Sequence, residues 1–297
     1  MWAKYKYHVL MHGIIFLWGF TGILGKLIHL EAVFIVWYRV LIASLFLAAF
    51  LLYRKKPFQL EKKHLWKVTI VGLFVVGHWL TFYYAIQLST ASLGILCLST
   101  ATLHVTWLEP LVMKRRFSWM EFAMGGLVIY GIYFVSDDFT QTEFTALYIG
   151  LISAFCAASF SVLNAKLAKD IPAAQITFYE LSIGLIVLTL FLLFTGQFSY
   201  NQLALSGSDF SWLLFLGIVC TSFAFLVTIE IVKRLGAFTV SLSINLEPIY
   251  TILLAIVILK EHELLNKNFY VGASVIILVV LANGILKYLQ DRKIESV

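Results

Sequence analysis

The segment Val240–Glu263, VSLSINLEPIYTILLAIVILKEHE, decides what kind of protein this chain is. Its first twenty residues are apolar enough to cross a hydrocarbon layer, which takes roughly 20 helical residues. Yet a carboxylate, Glu247, and a helix breaker, Pro248, stand near its middle. A charge at mid-bilayer costs about 2.5–3.5 kcal/mol on insertion scales. Pro248 has no backbone N–H, and in a continuous helix its ring crowds the carbonyl of Ile244. Backbone freed in this way survives inside a bilayer only where protein buries it or where it lines a cavity. The segment therefore reads as a span facing the interior of a bundle. Ser243, Glu247, Tyr250 and Thr251 follow i, i+4, i+7, i+8 spacing and share one face of such a helix.

The rest of the chain agrees with that reading. Hydrophobic residues make up 61% of the 297 and charged residues 13%, about half the charged share of a soluble domain. Nearly uncharged runs of about 20 residues recur, the mark of a helical integral membrane protein. Ten spans emerge, at roughly 7–28, 32–53, 67–88, 93–113, 119–136, 146–168, 174–195, 211–232, 238–259 and 269–289. The longest connections, RKKPFQLEKKHLW and TGQFSYNQLALSGSDFS, are too short for a separate soluble domain. Lys4 and Lys6 precede the first run as in a signal peptide. No small-x-small cleavage site follows, so the first span is read as uncleaved.

Lysine and arginine orient the spans. With the amino terminus in the cytoplasm, Lys4, Lys6, Arg54, Lys55, Lys56, Lys62, Lys63, Lys67, Lys114, Arg115, Arg116, Lys166, Lys169, Lys233, Arg234, Lys287, Arg292 and Lys293 gather on the inner side. Lys26, Lys260 and Lys267 fall outside, and Arg39 lies within a span. Both termini are then cytoplasmic, in a cytoplasmic membrane. The net charge of +6 faces anionic lipid rather than nucleic acid.

Ten spans divide into two halves of five, 1–140 and 141–297, and an odd number per half inverts the second relative to the first. FLWGFTGILGKL (Phe16–Leu27) lies on CAASFSVLNAKL (Cys156–Leu167) at an offset of 140, and WYR (Trp37–Arg39) on FYE (Phe178–Glu180) at 141. LEP occurs twice, at Leu108–Pro110 and Leu246–Pro248, but its offset of 138 leads nowhere downstream. An offset of 146 aligns Ala91 with Ala237 and Gly126 with Gly272, and it keeps both loops aligned. The fold class expected is all-α: ten transmembrane helices in two inverted repeats.

These residues resemble the EamA-type ten-span carriers of the drug/metabolite transporter superfamily. The marks are LWG followed by Lys26, Arg39 in span 2, YYAIQLSTAS across spans 3 and 4, and LEPIYTILLAIVILKEHE followed by Gly272. Pro248, Glu261 and Gly272 match the family's proline, acid and glycine. In the first half Thr102 stands where a proline is common and Arg115 where the acid is common. The resemblance implies secondary transport of a small metabolite, amino-acid-like or another small organic solute, often by export. It also implies a central cavity lined by spans 1–4 and 6–9, with spans 5 and 10 peripheral. The bilayer and a small-molecule substrate are the expected partners, with proton coupling or exchange as the drive, and a monomer or homodimer as the assembly.

The candidates for substrate or coupling-ion contact are Trp18, Arg39, Tyr83, Thr102, Asn164, Tyr179, Asn245 and Glu247. Glu247 either touches substrate or carries a proton, or it is a structural carboxyl bonded to a neighbouring helix. Arg39 can bind a carboxylate or phosphate, or pair and snorkel locally. A direct Arg39–Glu180 bridge is not expected, because the two approach mid-membrane from opposite sides. Asn164 and Asn245 can equally bond between helices. Trp18, Tyr83, Tyr84 and Tyr179 are aromatic cavity candidates. Glu109 and Glu230, near basic loops, read as gate or surface partners, and the glycines of GGLVIYG as helix-packing positions.

No catalytic, metal or cofactor chemistry is expected. His8 and His12 have no acidic or cysteine partner near them, and Cys97, Cys156 and Cys220 lack CxxC spacing and read as packed thiols. His78 and His104 could relay protons, though packing is the simpler reading. There is no Walker A, GxSxG or HExxH, and Asp137-Asp138 reads as a solvated cap. A lipid-directed intramembrane enzyme and a non-transporting receptor or assembly protein are the alternatives to a carrier.

Overall fold

A computed structural model describes residues 2–295 apart from 56–58, 115 and 236. Lys56 and Arg115, counted on the basic side above, lie outside the described residues. Among those residues the chain is helical throughout and holds no strand. The long elements are α1 (Trp2–Leu27), α2 (Ala32–Tyr53), α3 (Lys62–Leu88), α4 (Ala91–Ser99), α5 (Ala101–Met113), α6 (Trp119–Val135), α7 (Gln141–Leu167) and α8 (Ala173–Phe194). A short α9 (Tyr200–Leu203) follows, then α10 (Gly207–Leu214), a π-helical stretch (Phe215–Phe223), α11 (Ala224–Leu235), α12 (Ala237–Ile244), α13 (Glu247–Ile258), a 3₁₀ turn (Glu261–Glu263) and α14 (Lys267–Glu295).

Helix is what a lipid-embedded backbone is left with, since no water is there to satisfy a free N–H or C=O. Eight helical stretches are long and apolar enough to cross a membrane. Trp119–Val135 and Glu247–Ile258 are shorter apolar helices. Exposed positions on the bundle carry Leu45, Trp66, Ile129, Val257 and Leu278, whereas Arg39, His78, Glu180 and Thr221 are buried. Apolar outside with polar inside is the arrangement of a multi-pass membrane protein.

Two apolar stretches are not single helices. The chain breaks at Thr100, between α4 and α5, and again at Asn245–Leu246, between α12 and α13. The second break splits the single face expected of Ser243, Glu247, Tyr250 and Thr251. It falls before Pro248, which sits in the first turn of α13, where a missing N–H has no intrahelical partner to lose. Ser243 therefore belongs to α12, and Glu247, Tyr250 and Thr251 to α13. A third irregularity is the π-helical stretch. Thr221 and Ser222 donate their hydroxyls to the carbonyls of Leu216 and Gly217, five residues back, at 2.8 and 3.0 Å. It lengthens Gly207–Leu235 to 29 residues against the 27 of α3.

Several of these features recur at constant spacing. α1 and α7 end at Leu27 and Leu167, 140 positions apart. α2 and α8 start and end 141 positions apart, and the left-handed residues Lys55 (φ 51°) and Gly196 (φ 69°) follow at the same interval. The starts of α4 and α12, the starts of α5 and α13, and the left-handed lysines Lys114 and Lys260 (φ 55° each) are all 146 positions apart. These are the offsets read from the sequence, and the shared LEP triplet has no part in them. Pro110 lies inside α5 near its end, whereas Pro248 opens α13.

In the bundle α2 packs on α8, α3 on α7 and α8, α1 on α13 and α11, and α6 on α14. A large apolar core joins Ile23, Ile35, Val71, Ile86, Leu188 and Leu216. Gly131 and Gly272 bring α6 and α14 into backbone contact, so no side chain fits at Gly272. The broken helices pack unevenly. At the end of the bundle marked by Lys26, α4 packs on α13, and Ala91 to Cys97 are all buried. At the opposite, basic end α5 leans on α6 and α7, and α12 on α11. Among the described residues α5 and α12 do not form a packed pair. Ala101 to Pro110 are half-exposed except for Thr106.

Candidate functional site

The site is built around Arg39, eight residues into α2 and 5% exposed. Its Nε donates to the Thr221 hydroxyl at 2.9 Å and its Nη1 to the Tyr83 hydroxyl at 3.4 Å. The guanidinium lies 3.7 Å from the ring centroid of Trp79. A desolvated cation over an indole face gains about 2 kcal/mol. Each partner is in place for a local reason. The π turn swings Thr221 toward α2, and Gly217 in the same turn lets α2 come close: a Cβ there would meet Ile42 at 2.7 Å. Tyr83 is fully buried against α1, where Gly25 leaves room for its ring.

Among the described residues no carboxylate is in ion-pair contact with Arg39. The Glu247 carboxyl is within its electrostatic reach. Glu247 stands at the first position of α13, half-buried beside the break at Asn245. A buried guanidinium with neutral partners and one nearby carboxylate leaves donor capacity for an anionic group. The Thr251 hydroxyl donates to the Glu247 carbonyl at 3.0 Å, and the side chain sits with its hydroxyl against Gly19 and its methyl against Gly22 of α1, which ties α13 to the first helix.

The other sequence candidates are distributed unevenly about this centre. Tyr83 joins Arg39 directly. Asn245 lies at the break, half-buried. Trp18, also half-buried, faces Phe225 of α11 with centroids 6.4 Å apart and accepts the Thr21 hydroxyl on its carbonyl. Asn164 bonds the Glu180 carboxyl, a helix-to-helix role, and Glu180 makes no ion pair with Arg39. Tyr179 is half-buried beside Phe178. Thr102 lies elsewhere: its hydroxyl donates to the Ser99 carbonyl at 3.0 Å, and it borders a tight cleft with Gly125, Val279 and Asn283. Tyr84, 50% exposed, is on the surface of α3. His78 lies 2.8 Å from the Ser153 hydroxyl between Phe82 and Phe160. His104 contacts Phe155 and Trp107.

Sequence reasoning missed Trp79 and Thr221. Trp79 is one of eight tryptophans in a chain crowded with aromatics, and nothing local marks it. Thr221 carried no local signal either, since its span, 211–232, reads as long as 67–88. Asp209 was also overlooked. It accepts the His29 N–H at 3.0 Å while Ser206 caps its helix.

The sequence pattern of the EamA-like transporter family matches residues 6–137 and again residues 144–284. The chain belongs to the EamA-like transporter family. An uncharacterized transporter of the archaeon Archaeoglobus fulgidus is 23% identical over 264 residues, 86% of this chain and 90% of its own length. A crystal structure at 16% identity superposes with a TM-score of 0.64, covering 93% of this chain and 97% of that one. At that identity it speaks for the fold alone. As an EamA-like protein the chain is a membrane transporter of small solutes, working within a lipid bilayer. The family is one of transporters rather than enzymes.

Proposed function

We propose that the chain is a ten-span secondary carrier of two inverted halves, 1–140 and 141–297, which moves a small organic solute bearing an anionic group by alternating access. The carrying observation is Arg39: a buried guanidinium in a membrane helix, held by neutral partners, with Glu247 close by at a broken helix. Carriers of inverted-repeat type bind at such breaks near mid-membrane. A carboxylate, as in an amino-acid-like solute, suits the free donors of Arg39, and Glu247 suits a cationic group or a coupling proton. Trp18 and Asn245 border the same region.

Support for two equivalent halves comes from more than helix ends. Exchanging each span with the one five places along preserves the main packing pairs. α3 on α7 corresponds to α11 on α1, α5 on α7 to α13 on α1, and α8 on α3 to the π turn on α2. Gly217 abuts Ile42 and the Arg39 carbonyl, while Gly72 abuts Ile183 and the Glu180 carbonyl. Those are one contact repeated at offsets of 145 and 141. The family pattern also matches each half separately. Since each half has five spans, equivalence implies inversion.

With the basic end in the cytoplasm, the packed α4–α13 end faces out. The test is flux by the purified protein in liposomes against a panel of small acids and amino acids. A carrier gives saturable flux stimulated by counter-flow, whereas a lipid-directed enzyme or a receptor gives none. Glu247→Gln is expected to abolish or uncouple that flux while leaving membrane insertion and detergent stability unchanged. Full coupled flux in this variant removes Glu247 from the mechanism.

A further inference from the structure

The Lys26 end of the bundle is closed by a contact that reaches from one half of the chain to the other. Glu261 follows the left-handed Lys260 and is 2% exposed. Its Oε1 accepts the Ala91 N–H at 2.7 Å and its Oε2 the Ser92 N–H at 3.0 Å. These belong to the first two residues of α4, whose N–H groups have no partner within their own helix. The Thr90 hydroxyl accepts the third, from Leu93, at 3.0 Å. The first turn of α4 is thus satisfied partly by its own cap and partly by a carboxylate 170 positions away. Lys26 completes the junction: its ammonium donates to the Ser89 carbonyl at 2.6 Å, just before α4, and feels the Glu261 charge.

We propose that Glu261 is a releasable latch. It holds the Lys26 end of the carrier shut and must let go of α4 when that end opens. The inference rests on the alternating-access reading above, because α4 and α13 are the broken-helix segments that meet only at this end. Two charge-assisted bonds between buried groups are strong and directional. They span the two halves rather than lying within either, so rocking of the halves has to break them. The latch is also one-sided in sequence, since Arg115, 146 positions before Glu261, offers no acceptor. Closure at the Lys26 end therefore has a device that the repeat does not duplicate, and this biases the carrier toward the state seen here.

The test uses Ser92→Cys as a reporter in the full chain in nanodiscs, labelled with a hydrophilic maleimide and read by peptide mass spectrometry at position 92. Ser92 is fully buried, as is the native Cys220 near Arg39, which serves as an internal reference. Adding Glu261→Gln leaves one N–H facing an amide donor. It is expected to raise labelling at position 92 at least ~10-fold while leaving Cys220 protected. An unchanged rate at position 92 overturns the latch. So does a parallel rise at Cys220, which means general loosening. A second arm joins Ala91→Cys to Glu261→Cys with a short bifunctional thiol reagent. Flux of a solute found in the liposome panel is expected to stop when the bridge forms and to return on reduction. Undiminished flux with the bridge in place makes the junction permanent and overturns the latch, while leaving the carrier reading intact.

Discussion

Arg39→Met is expected to lower solute flux at least ~30-fold, because removing one partner of a buried charged contact costs roughly 2–5 kcal/mol of binding. The same change should leave thermal stability in detergent equal or raise it. Methionine fills most of the arginine's volume, and it removes a cation that is expensive to keep in a membrane interior. These opposite signs separate a binding role from a structural one. If Arg39 served only to tie α2 to α3 and to the π turn, stability would fall with flux. Arg39→Lys should not rescue transport. A lysine ammonium is a point charge without the planar fork, and it cannot bond Thr221 and stack on Trp79 together. Flux at wild-type level in Arg39→Lys would place the solute elsewhere.

The second large effect concerns packing. Gly217→Leu drives a Cβ to within 2.7–2.8 Å of Ile42, and overpacking of this kind costs about 1–3 kcal/mol. Gly72→Leu meets the Glu180 carbonyl at 3.0 Å and should cost a similar amount. Gly126→Leu is the control, since nothing lies within 4 Å of a Cβ there. Thermal unfolding followed by size-exclusion chromatography should rank Gly126→Leu near wild type and the other two clearly below it. Gly217→Leu should also lose flux, because the displaced turn carries Thr221 away from Arg39. Equal stability of all three variants would mean that the two glycines do not set the approach of the π turn to α2 and of α3 to α8.

Much of the candidate site was visible before any tertiary contact. Arg39 and Glu247 stood out because an ionisable group within an apolar run is costly, and Asn245 and Tyr83 because they neighboured such groups or a family-like stretch. What consecutive residues do not carry is the direction in which neighbouring side chains point. Thr102 and Tyr84 belong to the same stretches as buried site residues. The helix break at Thr100 and the rotation of α3 turn them to other faces. The face expected to run from Ser243 to Thr251 is split for a related reason. A proline is satisfied more cheaply at the start of a helix than in its middle, and breaking two residues earlier achieves that.

The amino-acid sequence by itself determined the membrane-embedded class, the helical stretches, and the spacing of 140, 141 and 146 at which helix ends, breaks and left-handed residues recur. These follow from hydrophobic length and local backbone preference, both written in consecutive residues. Only the tertiary structure decided that Arg39 stacks on Trp79 and bonds Thr221, that a π turn brings the latter within reach, and that Glu261 serves the first turn of α4 across 170 positions. Contacts of that kind depend on how one helix rotates against another. That rotation is set by the summed packing of many side chains, and no short segment carries it.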